Sequence, residues 1–114
     1  MKMKKTKSIN IGSRKYEIIL ADDELFFSFL SKKNQSDFEE AKSFVDYDDQ
    51  VIFIRDALKS DFKRELLIHE LMHACLEDSG IILQDEVCEA FIKAISPRLN
   101  GLLSNNLVNL LKDI

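Results

Sequence analysis

Two histidines four residues apart, His69 and His73, sit inside one of the most apolar stretches of the chain, and that conflict limits what the stretch can fold into. Leu66, Leu67, Ile68, Leu71, Met72, Ala74, Cys75 and Leu76 surround them. Ser60 offers an N-cap and Gly80 a left-handed C-cap, which predicts one long helix ending at about Ser79. Such a helix is apolar over most of its circumference and reads as one passing through the middle of a core. Imidazoles and a carboxylate in that setting must each find a partner, because an unpaired buried polar group costs free energy.

A metal ion is one such partner. Residues four apart project from a helix in nearly the same direction, so His69 and His73 address one point beside it. Glu70 lies about 100° around the helix from His69 and about 60° from His73. Its carboxylate therefore reaches a water at that point without itself being a ligand, as a general base requires. The competing reading is two core histidines, each satisfied by a backbone carbonyl.

A catalytic zinc site commonly takes three protein ligands and a water. The chain has no third histidine, so the remaining ligand is sought among carboxylates. Glu77 shares the histidine face but lies about 12 Å along the axis from His69, which suits an outer contact or a surface charge. Asp78 points elsewhere. The next helix offers Glu86 and Glu89, three apart and on one face, after a connection short enough to fold back. Spacing alone leaves both open.

Upstream, Ile9 and Ile11, then Tyr16, Ile18 and Leu20, alternate with polar residues around Gly12-Ser13, which predicts a β-hairpin. Asp22 caps a helix carrying Leu25, Phe26, Phe29 and Leu30, closed by residues 34–36. Ser36 and Glu39 form a possible capping box for a second, mostly polar helix. Asp46, Asp48 and Asp49 mark a turn before the strand Gln50-Val51-Ile52-Phe53-Ile54-Arg55. We expect that strand to be the sheet edge on which an extended peptide pairs. After the motif helix, Asp85 caps a helix over 86–95, Ser96-Pro97 breaks it, and a last helix carries Leu99, Leu102, Leu103, Leu107, Leu110 and Leu111. Those leucines are expected in the core, because a small domain needs its apolar faces internally. Strands early and helices late point to an α+β domain with the helices packed on one side of a small sheet.

With 114 residues and 46% apolar content, we expect one domain spanning 1–114. A formal charge of -4 argues against a general nucleic-acid binder, and a basic substrate, or none in particular, suits it better. The basic start is followed by Thr6, Lys7, Ser8 and Asn10 rather than an apolar run, and no stretch is long enough to span a membrane, so a cytoplasmic location is expected. Cys75 and Cys88 are then expected as reduced, buried thiols.

The segment Leu66-Leu67-Ile68-His69-Glu70-Leu71-Met72-His73-Ala74, followed by Ser79-Gly80 and Asp85-Glu86-Val87-Cys88-Glu89-Ala90-Phe91, resembles the small zincin-like metallopeptidases of phages and mobile elements. These are related in pattern to the ImmA/IrrE type and to minimal gluzincins. Ile9-Asn10-Ile11-Gly12, Tyr16-Glu17-Ile18 and the strand 50–54 also look like that group, so the resemblance spans most of the chain, although its specific part is His-Glu-x-x-His. It implies a minimal zincin-like domain in which His69 and His73 bind Zn2+ and Glu70 is the catalytic base. The glutamate opening the next helix, Glu86, completes the site. Ala90-Phe91-Ile92 follows the group's pattern loosely, which keeps Glu89 as the alternative. The implied activity is hydrolysis of a peptide bond in a protein or peptide substrate, such as a repressor or another element-encoded protein. The alternative is a catalytically silent zincin-fold regulator or adaptor that holds zinc structurally, and a third reading is a metal-free helical module. No tyrosine is assigned to oxyanion stabilisation, Tyr16 and Tyr47 being distant in sequence.

Overall fold

A computed structural model describes residues 3–32 and 42–114. The expected capping box at Ser36 and Glu39, and the closure of the first helix at 34–36, lie outside them. The hairpin strands are β1, Met3–Ile11, and β2, Arg14–Ala21, joined at Gly12, whose φ of 58° lies in the left-handed region that favours glycine. Helix α1, Asp23–Lys32, follows, and the Asp22 carboxylate accepts a 2.8 Å hydrogen bond from the Leu25 N–H as its N-cap. Two more strands, β3 (Ser43–Asp46) and β4 (Val51–Arg55), flank a tight turn in which Asp46 Oδ1 accepts from the N–H groups of Asp48 and Asp49. Helices α2 (Ser60–Ser79), α3 (Asp85–Ser104) and α4 (Leu107–Lys112) complete the chain.

The four strands pair in the order β1-β2-β4-β3, with β2 and β4 parallel and the outer pairs antiparallel. β4 is thus interior rather than the expected edge. The outer strands are β1 and, beside β4, β3, which local sequence pattern does not reveal. β3 is only four residues long, and its pairing with β4 is what defines it.

Alternation along the strands splits the apolar residues between two faces. Ile52 and Ile54 of β4 join Ile11, Tyr16 and Ala74 in a cluster between the sheet and α2, with Leu67 and Leu71 packed against it. Phe53 joins Ala21, Leu25 and Phe26 in a second cluster under α1, where Phe44 and Phe29 stack on Phe53. The chain is therefore mixed α+β, with helices on both faces of the sheet rather than on one. Arg55 clamps the start of α1 through a two-point ion pair with Asp23.

α2 ends at Ser79 as expected, on Gly80 at φ 77°, but its N-cap is Lys59 with no side-chain cap hydrogen bond, so Ser60 opens the helix rather than capping it. Its far end is seated on the hairpin: a Cβ built on Gly12 would lie 2.0 Å from Asp78 Oδ2. α3 differs from expectation twice: Asp85 is its first helical residue, with Gln84 at the N-cap and no side-chain cap hydrogen bond, and it runs unbroken through Pro97. Proline removes one backbone donor, and side-chain donors meet carbonyls of the adjoining turns, Ser96 Oγ that of Ile92 and Arg98 Nη1 that of Ala94. The carboxyl-terminal leucines are also not core. Leu102, Leu103, Leu110 and Leu111 are each about half exposed, because no further element of the described residues covers that side. Both cysteines are free thiols, but Cys75 is exposed on α2 and only Cys88 is half-buried. No helix among the described residues is long and apolar enough to cross a membrane.

Candidate metal centre

The chain beyond Gly80 folds back so that α3 lies along α2. His73 meets Glu89 and Cys88 across this contact, and Met72 meets Ser96. Glu89 Oε1 lies 2.7 Å from His73 Nε2, and Glu89 Oε2 lies 3.7 Å from His69 Nε2. One ligand atom from each of the three residues falls within 4.8 Å of the others. The two imidazoles are tilted by 60° with centroids 4.9 Å apart, so both face the carboxylate without stacking.

Glu86, preferred from the resemblance, is not in this group. It stands in the first turn of α3 and is exposed. Helix rise gives the physical reason. His73 lies six residues before the end of α2, about 9 Å back from the connection, so a partner on α3 must come from deeper than its first residues. Glu89 is four residues into α3 and reaches that level. Glu77, Asp78 and Glu86 all stay outside the cluster, Asp78 being engaged at Gly12.

Glu70 turns to the other side of the histidines, toward the sheet edge. It is 6% exposed, and Ser43 Oγ of β3 donates a 2.6 Å hydrogen bond to its Oε2. Burial holds its pKa above the ordinary carboxylate value, and the Ser43 hydrogen bond partly offsets this. For His69 burial lowers the pKa, while the Glu89 carboxylate pulls the other way. Lowering favours the neutral imidazole, which is the form that ligates metals.

Glu70, His69, His73 and Glu89 open onto one cavity of about 530 Å³ whose far wall is the edge strand β3. Tyr47, in the turn after β3, lines this cavity and a second one beyond His73. Its phenol is pushed up to about 12, first by burial and then by the Glu70 and Glu77 carboxylates. Sequence distance hid Tyr47 from the site, and only the missed strand β3 would have revealed it. Tyr16, by contrast, is fully buried between sheet and α2, and its hydroxyl has no hydrogen-bond partner among the described residues.

Searches against family models, curated proteins and solved structures return no match to this chain.

Proposed function

We propose that this chain is a zinc-dependent peptidase of the zincin type, as its resemblance to the small phage and mobile-element metallopeptidases implies. The single observation that carries the reading is the convergence of His69, His73 and Glu89 from two helices, beside a buried Glu70 in the same cavity. Zinc binds histidine nitrogen and carboxylate oxygen at about 2.0–2.2 Å in a tetrahedron, which sets donor atoms roughly 3.3 Å apart. The two histidine nitrogens lie 2.7 and 3.7 Å from one or the other Glu89 oxygen, either side of that spacing, and two imidazoles with a carboxylate are a donor set that zinc takes. His69, His73 and Glu89 would hold the ion.

When bound, zinc supplies Lewis acidity, polarising a carbonyl and making water more acidic. The chain's own residues supply the rest. Glu70 accepts a proton from water at its carboxylate and delivers it to the departing amine nitrogen. A raised pKa suits that exchange, since the group must hold the proton and then release it. Ser43 fixes the Glu70 carboxylate by donating to Oε2, leaving the other oxygen for the proton. Tyr47, kept protonated to high pH, offers a neutral O–H donor on the cavity wall. Among the described residues β3 is the sheet edge beside the site, on which an extended peptide, such as a segment of a repressor or other element-encoded protein, adds as a further strand.

The test is zinc binding followed by proteolysis. The zinc-loaded chain is expected to cleave unfolded polypeptide, and Glu70→Gln is expected to keep the zinc and lose the cleavage. Zinc binding with no cleavage in either chain would favour the silent regulator instead.

A further inference from the structure

Beyond His73 lies a second cavity, of about 540 Å³, that the proposed hydrolysis does not use. It is contiguous with the metal cavity, sharing Tyr47, His73 and Glu89 as a common wall. Its volume falls in the range of small-molecule sites, about 300–1,000 Å³. Its lining includes four aliphatic side chains: Leu76 from α2, and Ile81, Ile82 and Leu83 from the connection to α3. Ile81 is 59% and Ile82 94% exposed, so these side chains stand in water unless a ligand covers them. The lining also includes the acidic residues Glu77 and Asp85, neither of which belongs to the metal cluster. Among the described residues, no lysine or arginine lines the cavity.

An apolar ligand would cover the isoleucines but strip water from two carboxylates with nothing to replace it. A small cation would answer the carboxylates and leave the aliphatic side chains wet. A lysine or arginine side chain satisfies both, since it lays an apolar stem along hydrophobic surface and ends in a cation. The charge of the whole chain, -4, attracts the same class of ligand. We propose that this cavity is a subsite for a basic side chain of the peptide substrate, with Leu76, Ile81, Ile82 and Leu83 receiving the stem and Glu77 and Asp85 the charge. The assignment of the ligand as a substrate side chain rests on the peptidase reading, whereas the pocket's chemistry does not.

The test is a binding titration that bypasses hydrolysis. The full zinc-loaded chain carrying Glu70→Gln is titrated with Nα-acetyl-arginine amide, the lysine, leucine and glutamate counterparts alongside, and backbone amide NMR shifts are followed. Arginine and lysine amides are expected to shift the signals of Leu76, Glu77 and residues 81–85, and to bind about fivefold tighter than leucine amide, as one exposed ion pair allows. That advantage should shrink with added salt. Combining Glu77→Gln with Asp85→Asn should bring arginine down to the leucine level. Equal or tighter binding of leucine amide, a basic preference that survives the double substitution, or shifts confined to other regions would overturn the proposal. A basic preference in a zinc-loaded parent chain that cleaves nothing would retire the peptidase reading and keep the pocket. Cleavage of a random peptide library with no basic residue enriched near the cut would do the reverse.

Discussion

Ser43 Oγ donates a 2.6 Å hydrogen bond to Glu70 Oε2, tying the sheet-edge strand β3 to the helix that carries both histidines. It is the described hydrogen bond to a carboxylate that is almost wholly buried. Ser43→Ala leaves that acceptor without its donor, and a buried group left unpaired costs about 1–3 kcal/mol. Urea unfolding of the zinc-free protein should show a lower midpoint at unchanged slope. Ser43→Thr, which keeps the hydroxyl, should recover most of the loss.

Glu70 itself gives a prediction with a pH signature. Burial raises its folded-state pKa above the ordinary value of 4.5, so the folded chain holds this proton more tightly than the unfolded chain does. Its contribution to stability is full below the unfolded value and is lost as pH climbs through the folded one. Glu70→Gln removes the charge and keeps an oxygen for Ser43 to donate to. In zinc-free protein, Glu70→Gln should therefore melt higher than the parent at neutral pH, and the gap should close as pH falls toward 4.5. A gap of constant size across that range would show that the carboxylate does not titrate there. With zinc loaded, the same substitution should lower any peptidase activity by at least about a hundredfold.

The two glutamates of α3 separate in a metal competition experiment. Glu89 faces both histidines and Glu86 is exposed one turn earlier. Removing an outer partner of a metal ligand typically costs roughly 10–100-fold in affinity, so losing a ligand should exceed about a hundredfold. Titration of zinc against a chromophoric chelator should show that loss for Glu89→Ala and an unchanged affinity for Glu86→Ala. The opposite ranking would return the third ligand to the first turn of α3.

How much of this was legible before folding varies with how local each signal is. The end of α2, its glycine cap and the Asp22 cap depend on neighbours within one helical turn, and the sequence reading has them. The hairpin and the strand at β4 follow from alternation and β-branched content in the same way. β3 does not, because four residues, Ser43–Asp46, become a strand only through pairing with β4. Missing it displaced the sheet edge and hid Ser43 and Tyr47, both supplied to the site by that edge. Pattern resemblance places Glu86 ahead of Glu89, because it fixes residue types while the level of a ligand is set by rise along two packed helices. The exposed leucines of α3 and α4 show the same limit: periodicity tells that a helix has an apolar face, not what covers it.

Gly12 offers a test of how the hairpin seats the motif helix. An added Cβ there meets two separate obstacles, a φ of 58° and Asp78 Oδ2 at 2.0 Å. Left-handed backbone costs a non-glycine residue roughly 1–2 kcal/mol, and the carboxylate contact adds to that only while Asp78 is present. Gly12→Ala should thus destabilise the parent chain by more than the backbone cost alone. In an Asp78→Ala background the same substitution should cost only the backbone share, because the shorter side chain removes the collision. A double-mutant cycle by chemical unfolding measures the difference. Equal costs in both backgrounds would mean that the Asp78 carboxylate swings away freely, and that the end of α2 is held on the sheet by Ala74 and its neighbours instead.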